Sequence, residues 1–191
     1  PACAVNNAEQ ESVSKSYRKE GLTFVSTGSK EQKILHRKGD QIKIDWGYFY
    51  LSATDNGTTQ SVGGAMTLRK AFAANGKLDG KTASADNANI AVARSLGRSV
   101  EAEGMVMAGF DDIYSIQYFK TDLRPYWNRK GDSSIERQFA LAARDYTALK
   151  RKCGEFDREL MESATRRGGR KYAELCALAY RQAIAAHKLV E

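Results

Sequence analysis

Along the first two thirds of the chain, apolar residues tend to alternate with polar ones; along the last third they recur every three or four positions. The first period belongs to strands and the second to amphipathic helices. Residues 22–27 and 33–37 read as strands, and Gly39-Asp40 as a turn. Residues 41–52 form the clearest strand, with Ile42, Ile44, Trp46, Tyr48 and Tyr50 on one face and Lys43 and Asp45 on the other. Asn56-Gly57 supplies the positive-φ residues of a tight hairpin. Residues 61–89, rich in Gly, Asn, Asp and Ala, hold one short helix over 65–74. Strands resume at 90–93, 104–110 and 113–119, so an antiparallel sheet or part of a sandwich is expected. Residues 1 to about 20 are polar and weakly periodic, the pattern of a tail or of an element whose partner lies elsewhere.

The helical part opens on Ser133-Ser134-Ile135-Glu136, which has the form of a capping box in which Glu136 reaches back to the Ser133 amide. Behind it Ile135, Phe139, Ala142, Tyr146, Leu149, Cys153, Phe156, Leu160 and Ala164 make one stripe. It predicts a helix of about nine turns that passes Gly154 and stops at Gly168-Gly169. A second helix, 171–190, presents a broad apolar face through Tyr172, Leu175, Cys176, Ala179, Ala183, Ala186 and Val190. Such a helix needs cover on more than one side, so the chain reads as interrupted within a helical domain. The expected fold class is α+β: an antiparallel β-sheet or partial β-sandwich over 1–119, a linker over 120–132 around Pro125, and a long α-hairpin over 133–191.

Composition narrows the function classes. The 191 residues carry a formal charge of +7, which raises the question of nucleic acid. Acidic residues interleave with the basic ones, and neither an arginine-rich arm nor an aromatic-basic RNA motif occurs, so no nucleic-acid partner is expected. No segment has the apolar length of a membrane span, and no secretory leader is visible. Three cysteines make no disulfide framework. Across the glycine turn Cys153 and Cys176 are offset by roughly 9 Å along the helix axes, too far to bridge, so free and mostly buried thiols are expected.

Candidate chemistry concentrates in residues 105–129, where the pattern changes period. Asp111 and Asp112 are adjacent carboxylates; on a strand they point to opposite faces, so at most one serves as a general base or substrate ligand. Tyr114, Gln117, Arg124 and Trp127, with Tyr118 and Tyr126, have the chemistry to hold a small polar substrate. Arg clamps a carboxylate, Gln reads an amide and an aromatic ring stacks. The same residues equally suit a hydrogen-bonded joint between two layers. His36 and His187 are the only histidines, and no paired-His metal spacing occurs. Cys176 and His187 lie about 16 Å apart on one helix, which excludes a dyad between them. There is no G-x-S-x-G, P-loop or dinucleotide fingerprint, and neither cofactor nor metal is expected.

Several of these motifs occur together in one family. His36-Arg-Lys-Gly-Asp40, Ile44-Asp-Trp-Gly-Tyr48, Phe110-Asp-Asp-Ile-Tyr-Ser-Ile-Gln-Tyr-Phe119 and Leu123-Arg-Pro-Tyr-Trp127 lie in that order. Ala143-Arg-Asp-Tyr146, Glu155-Phe-Asp157, Gly168-Gly-Arg-Lys-Tyr172 and residues 179–188 follow. Over roughly 22–190 the chain resembles the glutaminase A family of bacteria and fungi. The resemblance implies a secreted or periplasmic multidomain protein in which a β-sandwich region precedes an α/α-toroid. It also implies hydrolysis of L-glutamine, or a related amide, to glutamate and ammonia, with the remainder of the parent chain as a partner. Under it, Asp111 or Asp112 acts as base or holds the amino group, and Arg124 binds the carboxylate. The alternative is a non-catalytic structural or carbohydrate-contacting module, since such architectures also occur in glycoside-acting enzymes. An exposed Trp46 or Trp127 platform would favour the sugar reading.

Overall fold

A computed structural model of the chain describes residues 10–36, 44–54, 56–98 and 101–190. It is an α+β structure of antiparallel sheets followed by a long helical hairpin. The polar stretch before residue 20 is a full strand, β1 (Ser12–Lys19), joined to β2 (Leu22–Ser29) by Glu20 and Gly21. Both turn residues have positive φ, +54° and +71°, the geometry that matches the twist of a two-residue hairpin. The hairpin register runs from Ser12 opposite Ser29 to Lys19 opposite Leu22. β1 looks irregular in sequence because one of its faces holds hydroxyls: buried Ser12 and Ser14 face the interior where aliphatic residues are usual. Ser14 donates to the Ala88 carbonyl (2.7 Å) and lies 3.0 Å from Thr27 Oγ1, so its burial leaves it satisfied.

The expected strand over 41–52 begins later. Residues 41–43, the Gly39-Asp40 turn and Arg37 lie outside the described residues, and Ile44–Gly47 is not strand. β3 (Tyr48–Thr54) starts after Gly47, whose φ is +85° and whose α-carbon abuts the Asp111 carbonyl, leaving no room for a side chain. Trp46 is thereby cut off from the face shared by Tyr48 and Tyr50 and is buried instead. Residues 33–36 form a turn closed by His36 N–H on the Lys33 carbonyl (3.4 Å), not a strand.

Asn56-Gly57 makes a turn, but between sheets. β3 pairs with β2 and with β7 (Val106–Asp111), whereas β4 (Thr58–Gly63) pairs with β6 (Asn89–Arg94). With β5 (Ser84–Asp86) the large sheet has the order β5-β1-β2-β3-β7. The β4–β6 pair lies across one of its faces, forming a sandwich around Val25, Ala53 and Val62. Helix α1 (Ala65–Asn75) sets Leu68 against β4.

The opposite face of the large sheet is covered by the start of α2 (Ile135–Ala186). Phe139 meets Phe24 edge-on (5.5 Å between ring centres) and tilts over Tyr50 (6.4 Å). Gly109 admits it, since a β-carbon there would stand 2.7 Å from the Phe139 ring. β2 is consequently buried at every position, helix on one side and sandwich on the other. The N-cap is Ser134, one residue later than the capping box implied, and its hydroxyl accepts from the Arg137 amide (3.3 Å).

α2 runs through Gly154 and breaks at Gly169 (φ 78°, ψ 179°), a conformation open essentially only to glycine. The two arms form a hairpin, with Phe156 against Tyr180 at 5.0 Å. The return arm is helical to Ala186 rather than to residue 190. The chain then pairs with the sheet end: Val190 bridges Pro125, and Leu189 accepts from the Tyr126 amide (2.9 Å). Cys153 and Cys176 are free; Cys153 is exposed rather than buried because the outer stripe of the hairpin is not covered. Leu175, Leu178 and Ile184 are also more than half exposed. Among the described residues no helix is long and apolar enough to cross a membrane.

Candidate functional site

The large sheet offers α2 a face whose membership follows from register. Opposite residues on antiparallel strands point the same way. Across one row stand Val13, Gly28, Tyr48 and Asp111; across the next, Lys15, Ser26, Tyr50 and Gly109. The following row, Tyr17, Phe24 and Ser52, lies near Phe139. The helix therefore covers one end of this face and leaves the other open. Between them is a cleft of about 330 Å³ lined by Lys15, Tyr17, Ser26, Tyr48, Tyr50 and Glu136. Gly28 deepens it: a β-carbon there would come within 2.5 Å of the Tyr48 ring.

Glu136 does not reach back to the Ser133 amide as the capping box implied; that amide donates to Asn128 (3.0 Å). Glu136 lies over the sheet, where Tyr17 donates its hydroxyl to Oε1 (3.0 Å) and Lys19 approaches Oε2 (3.5 Å). Burial pushes its pKa up, but its own amide, the Tyr17 and Ser134 bonds and the Lys19 charge outweigh that and hold it below the usual value. Burial, then the negative charge of Glu136, drives the Tyr17 phenol well above its ordinary pKa. Tyr50 is raised by burial and then by Asp111 and Glu136. Both phenols therefore keep their protons and act as donors at neutral pH.

Asp111 sits on this face beside Tyr48. Its Oδ1 accepts from the Ile113 amide (2.9 Å). Burial raises its pKa, and the charges of Asp112 and Glu136 add to that, against the Ile113 amide and Arg124. Two carboxylates from different layers are thus pushed in opposite directions, and the charge of Glu136 adds to the rise at Asp111.

The other residues singled out from sequence separate into two groups. Asp112 turns away from Asp111, as adjacent strand residues do, and is buried. Its carboxylate takes Lys188 from the segment after α2, and its carbonyl accepts the Trp46 indole N–H (2.7 Å). Tyr114 lies under Arg124, whose guanidinium is 4.8 Å from the ring centre and donates to the tyrosine hydroxyl (3.2 Å). Arg124 therefore stands behind Asp111 as a fixed charge and is not part of the cleft lining. Gln117 donates to Asp122 (2.9 Å) on an exposed hairpin of β8 (Ile116–Tyr118) and β9 (Thr121–Leu123). That hairpin replaces the longer strand expected over 113–119, because Ile113 has φ +62°. Trp127 lies half-buried in a short 3-10 turn.

Sequence reasoning missed Lys15, Tyr17, Tyr48, Tyr50 and Glu136 as site residues. Tyr48 and Tyr50 were placed on one face correctly, but their partners come from a strand hidden by its serines. A larger groove of about 550 Å³ lies between Met105–Met107 and Tyr146 and Leu149 of α2. It is mostly apolar, and its Arg94 is occupied by Thr54, Asn56 and Thr58, so it offers less chemistry than the smaller cleft. No group of three or more His, Cys, Asp or Glu able to hold a metal occurs among the described residues. His36 instead lies 3.5 Å from buried Asp45.

No curated protein and no solved structure gives a match to the chain. One family does, over residues 2–163, a span that takes in all three sheets, the cleft and most of the outgoing arm of α2. The chain belongs to the family described as a domain of unknown function, DUF5127.

Proposed function

We propose that the chain serves a glutaminase A-like hydrolase of L-glutamine or a related amide, with Asp111 as the working carboxylate. The observation that carries this reading is the placement of Asp111: on the sheet face shared with Tyr48 and Tyr50, oriented by the Ile113 amide and under the charge of Arg124. Amide hydrolysis needs a positioned base, a donor for the oxyanion and a route for the proton to the leaving nitrogen. In this scheme water adds to the amide carbon as Asp111 takes its proton. Tyr50, kept protonated, donates to the oxyanion. The tetrahedral species then breaks its C–N bond, and the proton held by Asp111 passes to the departing ammonia. Raised by burial above its ordinary value, Asp111 holds a proton more readily than an ordinary aspartate, which suits both halves of that exchange.

Asp112 has a different part, since Lys188 occupies it and its backbone holds Trp46. The burial of Trp46 also speaks against the sugar-stacking reading, which needs an open indole face. The same resemblance supports a secreted or periplasmic location and a helical toroid built on the hairpin. The test is ammonia release from L-glutamine by the protein that carries this chain. Asp111→Asn is expected to reduce kcat/KM by about 10²–10⁴; a near-normal value removes Asp111 from the chemistry, and no release by the unaltered protein removes the reading.

A further inference from the structure

The cleft has a charge arrangement that the hydrolase scheme does not use. Lys15 stands on its β1 side, exposed and, among the described residues, engaged in no ion pair. Glu136 stands over the tyrosines on the helix side, bonded by Tyr17 and Ser134, and the cation at its Oε2 is Lys19, whose side chain is about half exposed. A positive and a negative group thus flank a floor of tyrosine rings and Ser26. Asp111 lies farther along the same face. Three strand spacings and a two-residue offset separate the Lys15 backbone from that of Asp111, about 15 Å, and both side chains extend into the gap.

We infer that Lys15 and Glu136 form a zwitterion clamp for an α-amino acid, Lys15 taking the carboxylate and Glu136 the ammonium group. The ligand's own ammonium displaces Lys19 from Glu136 Oε2, an exchange of one cation for another that leaves no carboxylate unpaired. Its side chain then lies over the Tyr48 and Tyr50 rings toward Asp111. The size agrees: 330 Å³ is at the small end of ligand cavities, fit for a single amino acid and not for a peptide. The tyrosines add to the ammonium's stability through their ring faces. Lys19 is the other charged group beside this space, on the Glu136 side. The inference assigns the substrate class of the proposed hydrolase site and rests on that reading for its biological meaning, but the clamp does not depend on the amide.

The test is calorimetric titration of the protein at pH 7 with L-norvaline, which has both charges and no side-chain amide. Pentanoate lacks its ammonium and butylamine lacks its carboxylate. Norvaline is expected to bind at least tenfold more tightly than either one-charge probe. Lys15→Met should weaken norvaline at least tenfold while leaving butylamine unchanged, and Lys15→Arg should restore it. Glu136→Gln, which keeps an acceptor for Tyr17, should weaken norvaline and butylamine alike. Should that variant unfold, Lys15→Met decides alone, because Lys15 is on the open surface. Norvaline binding no tighter than pentanoate, or indifferent to Lys15→Met, overturns the clamp. Binding of norvaline without ammonia release from L-glutamine keeps the clamp and removes the hydrolase; ammonia release without norvaline binding does the reverse.

Discussion

Tyr17 and Glu136, 119 positions apart in the chain, are joined by a 3.0 Å hydrogen bond from the phenol to the carboxylate. The bond fixes the first turn of the long helix over the first strand and so sets one wall of the cleft. Tyr17→Phe removes only the donor. It should cost about 1 kcal/mol at neutral pH, a low value for a bond to a charged group because Glu136 is partly open to water. The pH dependence has a definite sign. A carboxylate whose pKa is lower folded than unfolded stabilises the fold above its unfolded pKa, and that contribution is lost as pH falls through the folded value. The difference between wild type and Tyr17→Phe should therefore be largest near pH 7 and shrink through the acid range. Thermal melts across that range measure it; a difference independent of pH would mean that Glu136 is not the acceptor.

Gly109 and Phe139 define the join between sheet and helix. A methyl group at Gly109 would stand 2.7 Å from the ring, so Gly109→Ala should destabilise by about 1–3 kcal/mol through overpacking. Phe139→Ala, which empties the same contact, should cost about 3–5 kcal/mol. Denaturant midpoints give both values. Ordinary surface-like effects, within about 0.5 kcal/mol, would mean that the helix does not dock on this face.

Much of the architecture was legible because period and punctuation agree over long stretches. The stripe from Ile135 to Ala164 and the Gly168-Gly169 stop placed the outgoing arm and the turn of the hairpin, β2 and β6 lie close to where alternation placed them, and α1 lies where turn signals bracketed it. The failures have physical causes. β1 escaped because its interior positions are serines, satisfied by Thr27 and Ala88, so its buried face looks polar. β3 was read four residues too long within the described chain because Gly47 breaks a perfect alternation at the one point where Asp111 comes too close for a side chain. Glu136 was assigned to capping on spacing alone, when a tyrosine on the unseen strand competes for it. Asp111 and Asp112 were correctly expected to diverge. Which of them shares a sheet face with Tyr48 and Tyr50 depended on register, and no local pattern contains that.

The segment after α2 closes the hairpin onto the sheet through Lys188 and the buried Asp112 carboxylate. Lys188→Met leaves that carboxylate without its cation. The expected cost is about 1–2 kcal/mol, between a surface pair and a buried one, because the lysine is partly exposed. Hydrogen exchange should show faster opening at Tyr126, whose amide bonds to Leu189, with little change in β2. Unchanged exchange at Tyr126 would mean that the backbone bridge alone holds the segment.

The central claim is that Asp111, on the sheet face that the helix covers, and Glu136, on the helix, act on each other. Nuclear magnetic resonance titration of the Asp111 side chain, in wild type and in Glu136→Gln, measures this without reference to any activity. Asp111 should titrate above its ordinary aspartate value and move down in Glu136→Gln, because loss of the neighbouring negative charge favours ionisation. An Asp111 that titrates at its ordinary value in both proteins would contradict the account.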